Sequence, residues 1–111
     1  MRTINVASDF SSRLDNRNER QGDGQHTAID FRRRYLEPLD NAEAWKNLNV
    51  FIALDFNDVL SLGPSFANEA FAYFTKYARP ESIRKKIRFL NMSIVKAMIL
   101  NQELEKGYSK R

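Results

Sequence analysis

The stretch Val50–Phe74, VFIALDFNDVLSLGPSFANEAFAYF, constrains the fold more than any other part of this chain. Val50, Phe51, Ile52, Ala53 and Leu54 are apolar at every position. A strand apolar on both sides is typically a central one, covered by helices on both faces. The following segment, Asp55 to Gly63, carries acids and turn residues. Gly63-Pro64-Ser65 then opens a helix on which Phe66, Ala67, Ala70, Phe71, Phe74, Tyr77 and Ala78 keep helical spacing. A strand that feeds a helix through such a turn presents backbone N–H groups and a hydroxyl at one edge of an α/β sheet. That edge is where proteins of this class commonly place their function.

The rest of the chain reads around that unit. Thr3 to Ala7 alternate, with Ile4 and Val6 on one face, and predict a short half-buried strand. Residues 11–26 form a long polar loop in which Leu14 is the single apolar residue; it carries Arg13, Arg17, Arg20, Gly22 and Gly24. It is a solvated loop, a functional one, or the cover of a short edge strand. Thr27 caps a helix whose first turn holds Asp30. Ala28, Phe31, Tyr35, Leu36 and Leu39 fall on its apolar stripe, and Arg32, Arg33 and Arg34 turn largely away. Pro38 ends or kinks this helix near Glu37. Asn41 caps a short piece over 42–47 that carries Trp45 as a core plug. The helix from Ser65 ends at Arg79-Pro80. Lys86 to Asn91 alternates as a strand, with Ile87 and Phe89 on one side and Leu90 on the other. Ser93 caps a final helix that is apolar around most of its girth (Ile94, Val95, Ala97, Met98, Ile99, Leu100, Leu104), so it is buried or carries an interface, including one with a second copy. The alternation predicts a single α/β domain over residues 1–111, a small mixed sheet of about four strands with three main helices.

Composition narrows the chemistry. The chain is 42% hydrophobic and 29% charged, as in ordinary globular domains. No apolar run approaches the roughly 20 residues that span a bilayer, and MRTINVASDF lacks the apolar core of a signal peptide, so a cytoplasmic protein is expected. Zero cysteines remove disulfides, thiolate metal sites and cysteine nucleophiles; a lone His26 argues against a histidine-rich metal site or a triad. A non-enzyme without cofactor or metal is the expectation. Asp55 and Asp58, with Asp9 near the end of the first strand, can hold Mg²⁺ or accept a phosphoryl group; the simpler reading is that Asp55 orders the turn. Gly22-Asp23-Gly24 is too short for a nucleotide motif.

Charge is unevenly spread. Residues 1–55 hold 8 Lys/Arg against 9 Asp/Glu, and residues 56–111 hold 10 against 5. The basic C-terminal third makes nucleic-acid binding the alternative function. Against it, Phe66, Phe71, Phe74 and Phe89 keep core spacing and do not interleave with the cations as a stacking platform does. Ser65, at the helix start, is the sharper candidate. Its hydroxyl can cap a free N–H, or it can accept a phosphate, which meets the helix's positive end and turns a neutral edge anionic.

At these residues the chain resembles the STAS superfamily of sulfate-transporter and anti-sigma-factor-antagonist domains, and most closely its STAS-like family of unknown function. The resemblance is carried by Ile52-Ala53-Leu54-Asp55-Phe56, the turn ending at Gly63, and Pro64-Ser65-Phe66-Ala67-Asn68-Glu69-Ala70-Phe71. Upstream, Asp23-Gly24-Gln25-His26-Thr27, Phe31-Arg32 and Tyr35-Leu36-Glu37-Pro38-Leu39 look like the family's first helix. It spans about residues 22–100 and implies a four- or five-stranded mixed sheet with helices packed on it. It also implies partner switching in bacteria, where a small STAS domain binds a histidine-kinase-like ATPase that phosphorylates a Ser or Thr at this helix start and so dissociates the complex. The antagonists' acid and phospho-acceptor positions align with Gly63 and Pro64, and Ser65 lies one residue on. The STAS-like relatives often occur beside such an ATPase or fused to one. A non-enzymatic regulatory or adaptor domain is therefore expected, contacting a protein partner through Asp58, Ser65, Phe66, Asn68 and Glu69, with Ser65 as the phospho-acceptor.

Overall fold

The computed structural model describes residues 2–15, 26–47, 49 and 51–111. Arg17, Arg20, the Gly22–Gly24 motif, Gln25 and Val50 lie outside the described residues. Strand β1 (Arg2–Asn5) stops two residues before the expected end, because the Asn5 side chain accepts from the Ser8 N–H at 3.1 Å and starts helix α1 (Val6–Asp9). Strand β2 (Arg13–Leu14) does sit in the polar 11–26 segment. Helix α2 (Ala28–Tyr35) begins at Thr27, whose hydroxyl accepts from Asp30 N–H at 3.1 Å, and gives way to a 3₁₀ turn at Glu37–Leu39 containing Pro38. Asn41 caps α3 (Ala42–Lys46) as expected. Then follow β3 (Ile52–Asp55), β4 (Ser61–Leu62), α4 (Pro64–Ala70), a second 3₁₀ segment at Ala72–Lys76, α5 (Pro80–Lys86), β5 (Ile87–Leu90) and α6 (Ile94–Ser109), the last capped by Ser93.

The main sheet has three strands in the order β1-β3-β5, all parallel; β2 and β4 form a separate parallel pair. The expected mixed sheet of four strands and three helices is thereby corrected to three plus two parallel strands and six helices among the described residues. Helix α5 escapes a sequence reading because Pro80 stands at its first position, where a missing N–H costs nothing, and not after the end of the preceding helix. The expected long helix from Ser65 breaks at Phe71, and the Thr75 hydroxyl donates to the Ala72 carbonyl (2.7 Å), a side-chain bond that competes with regular helix.

β3 is central, as its apolar run predicts. In register, Ile4 pairs with Leu54 and Leu54 with Phe89, and Ile52 pairs with Ile87; these side chains form the core face. The opposite face carries Thr3, Ala53 and Arg88 in one row and Asn5, Asp55 and Leu90 in the next, and of these six only Ala53 is buried. Coverage by helices on both faces is thus corrected to one fully shielded face. On that face an aromatic chain ties the helices to the sheet: Phe10–Phe31 at 5.0 Å, Phe31–Phe66 at 5.8 Å, Phe31–Phe71 at 6.0 Å and Phe71–Phe89 at 5.1 Å between centroids. All but the tilted Phe31–Phe66 pair are edge-to-face, and such pairs add to the area each ring buries. No helix among the described residues is long and apolar enough to cross a membrane.

Candidate functional site

The β3–α4 turn is held from both sides. Asp55 Oδ1 accepts from the Asn57 N–H (2.9 Å) and from Asn91 Nδ2 (3.0 Å), and Phe56 N–H donates to the Leu90 carbonyl (2.8 Å), so the exits of β3 and β5 are stitched together. Asn91 and then Asn57 hold the Asp55 carboxyl below its ordinary value. Asp55 orders the turn, the simpler of its two sequence readings. Asp9 is likewise engaged locally, accepting from Asn5 N–H at 3.0 Å, and among the described residues no three His, Cys, Asp or Glu side chains group to hold a metal. Asp58 sits exposed in the left-handed region (φ 66°) that an Asp tolerates in a tight turn. Further on, Leu60 N–H donates to Ser12 O (2.7 Å), Gly63 N–H to Leu14 O (2.7 Å), and the Ser61 hydroxyl to Asp15 Oδ2 (2.9 Å). The β2–β4 pair therefore fixes where α4 begins.

The five residues expected to form the partner contact are dispersed. Asp58 and Ser65 are exposed at this turn. Ser65 occupies the second helical position while Gly63 takes the cap position, and α4 starts without a side-chain cap, so the capping role expected for Ser65 is not taken up. Phe66 is 0% exposed, in the middle of the aromatic core, and is corrected from contact residue to core residue. Asn68 and Glu69, half-buried, line a cleft of about 280 Å³ with Ala72, Tyr73, Gly107, Lys110 and Arg111, at the far end of α4. Leu60, 63% exposed inside the turn, is an outward-facing apolar side chain that a sequence reading misses, because a lone leucine in a polar segment carries no periodic signal.

Two further groupings depart from expectation. Arg32 is buried, not turned outward: its guanidinium lies 3.7 Å over the Tyr73 ring and Nε donates to the Glu69 carbonyl (3.2 Å). Beside it Asp40 accepts from the hydroxyls of Tyr73 (3.0 Å) and Tyr77 (2.7 Å), Lys76 Nζ donates to the Tyr73 hydroxyl (3.2 Å), and Trp45 stacks on Tyr77 while its Nε1 donates to Leu39 O. Burial pushes the Asp40 carboxyl up, but the Tyr77 and Tyr73 hydroxyls and the Lys76 and Arg32 charges outweigh it and hold the carboxyl low. The same hydrogen bond, with burial, pushes the Tyr77 phenol up to about 12. The basic third is partly committed: Lys86 is buried with its ammonium donating to the Asn47 carbonyl, Arg88 lies 4.2 Å over the Phe51 ring, and Arg84 donates to Asn101.

Residues 27–94, more than half of the chain, match the model of a family described as a STAS-like domain of unknown function. No curated protein and no solved structure matches the chain.

Proposed function

Since the chain belongs to the family of STAS-like domains of unknown function, we propose that it is a non-enzymatic regulatory or adaptor domain that binds a protein partner through the β3–α4 turn. The partner is a histidine-kinase-like ATPase of a partner-switching module. The observation that carries the reading is Leu60, 63% exposed between the exposed Asp58 and Ser65, in a turn whose backbone is bonded to β2 and β5 on either side. An apolar anchor on a preordered backbone binds without the cost of ordering a loop. Asp58 supplies a polar rim. Ser65 places a hydroxyl where a phosphate would bring close to two negative charges onto the same turn and repel an acidic or apolar contact. The residue inventory, no cysteine and one histidine, favours recognition over covalent chemistry.

Calorimetric titration of the domain with an ATPase of that class, with and without ATP, tests the proposal. Leu60→Glu is expected to weaken binding about tenfold or more, or roughly 1.4 kcal/mol, and Ser65→Asp several-fold, with both variants folded. Unchanged binding in both variants removes the turn as the site. No binding in either nucleotide state removes the partner.

A further inference from the structure

Helix α6 carries a second face, on a different element from the β3–α4 turn. Ile94, Val95 and Met98 are 81%, 66% and 56% exposed, and their spacing sets them on one side of the helix. The fold does not use that side: Leu100 and Leu104 are the buried apolar residues of α6. Asn101, one turn beyond Met98 on the same side, accepts a hydrogen bond from Arg84 Nη1 of α5 at 3.0 Å, which stations a guanidinium at the end of the apolar stripe. Between Glu81 and Glu103 the chain has five Lys/Arg and no acid. With Lys86 buried, this leaves Arg84, Lys85 and Arg88 exposed and Lys96 half-buried on α6 itself.

That combination selects among occupants. A second copy of the chain would bring like cations together, with no acid in the stretch to answer them. Three apolar side chains also fall far short of the roughly 800 Å² each partner contributes to a standard interface. They do match the two or three anchors of one amphipathic helix laid on a surface. We infer that the Ile94–Val95–Met98 face docks a short amphipathic helix of an acidic protein partner. Its apolar anchors cover the stripe, and its flanking carboxylates meet Arg84 and Lys85. The inference does not depend on the β3–α4 turn being a binding surface.

The test is an NMR titration of the labelled domain with a synthetic helical peptide of about 16 residues carrying Leu at i, i+3 and i+7 and Glu elsewhere. A matched peptide with Lys in place of Glu serves as control. Binding of the acidic peptide is expected to shift the amides of residues 94–102 and of Arg84 and Lys85. The basic peptide should bind roughly tenfold more weakly or worse. Val95→Ser and Met98→Glu, both at exposed positions, should each lower affinity by about that factor, and Arg84→Ala should lower it several-fold and flatten its salt dependence. Ser65→Asp should leave it unchanged. The proposal is overturned by no binding of the acidic peptide, by equal binding of the two peptides, or by shifts away from α6. It is equally overturned if the domain dimerises in sedimentation through Met98, or if it binds anionic phospholipid vesicles and not the peptide.

Discussion

Gly107→Ala sets two physical effects against each other at one position. A Cβ on Gly107 would stand 2.9 Å from the Ala72 Cβ and 3.3 Å from both the Ala72 carbonyl oxygen and the Thr75 hydroxyl. Carbon atoms in contact prefer about 3.5–4.0 Å, so the added methyl is short by on the order of 0.6–1 Å. None of the three atoms is the end of a flexible side chain. The Ala72 Cβ is fixed directly by the 3₁₀ backbone that carries it, and the Thr75 hydroxyl is tied to the Ala72 carbonyl and to Arg111 Nε (3.2 Å). Overpacking of this kind costs about 1–3 kcal/mol. Alanine returns at most about 1 kcal/mol of helix propensity over glycine, and less here in the last turn of α6. The net expectation is destabilisation of about 1–2 kcal/mol, read as a lower urea midpoint at unchanged slope and a thermal midpoint several degrees lower. Adding Ala72→Gly removes the closest atom, so the double variant should be less destabilised than the two single changes summed, with a coupling near 1 kcal/mol. A Gly107→Ala protein as stable as the parent, or additive losses in the double variant, would refute the close approach of α6 to the 3₁₀ segment.

The Tyr77 phenol titrates at about 12 in the folded chain against 10.0 unfolded, so its stabilising bond to Asp40 is fully present below pH 10 and lost as pH climbs towards 12. Urea midpoints should fall across that window and fall less in Tyr77→Phe; Lys86, lowered by burial from 10.5, acts in the opposite sense and should be measured alongside as Lys86→Met. On the acid side Asp40 is held below 3.8, so its contribution is present above that value and disappears as pH drops through the folded value; Asp40→Asn should flatten the acid limb. Phe66→Ala should cost about 3–5 kcal/mol, as truncation of a fully buried ring does, and a loss below 1 kcal/mol would contradict its place in the core. Ser65→Asp should raise stability by about 0.3–1 kcal/mol, because α4 has no acid in its first turn; a loss of stability would mean that the Ser65 hydroxyl is engaged.

The features legible in the sequence were local ones. Thr27, Asn41 and Ser93 each announce a helix start within four residues, and the apolar run into Leu54 marks the central strand without reference to its neighbours. Strand direction is not local. Nothing in β1, β3 or β5 states that they run parallel, and the two-residue strands β2 and β4 are too short for any pattern; they are held by each other, by the Asp15–Ser61 bond and by the burial of Leu14 and Leu62. Arg32 shows the same limit at a side chain: helical periodicity places it off the apolar stripe, but the Tyr73 ring, 41 positions away in the chain, offers a face that desolvates the guanidinium favourably. Phe66 was the reverse case. Its core spacing is plain, and adjacency in the chain does not give it Ser65's exposure, because consecutive helical residues point about 100° apart.

Parallel strands have a consequence for both proposed surfaces. β1, β3 and β5 all end at one edge of the sheet, so the chain leaving each must turn there: Asn5 into α1, Asp55 into the β3–α4 turn, Leu90 into α6. The Asp55 side chain bridges two of these exits, through Asn57 on its own turn and Asn91 before α6. Asn91 is itself in the left-handed region (φ 56°), a conformation that the hydrogen bond from its Nδ2 to Asp55 Oδ1 helps to hold. Asp55→Ala should therefore loosen the β3–α4 turn and the start of α6 together. It should weaken ATPase binding and acidic-peptide binding in the same variant, whereas Leu60→Glu affects the first alone and Met98→Glu the second alone. Because Asp55 is held below 3.8, the tie is present throughout the neutral range, and the comparison needs no pH control beyond ordinary buffer. Amide hydrogen exchange decides between loosening and global destabilisation: protection should fall at residues 56–60 and 91–95 and hold at Ile52–Leu54. Uniform loss of protection, or an effect on one surface only, would show that Asp55 does not couple the two exits.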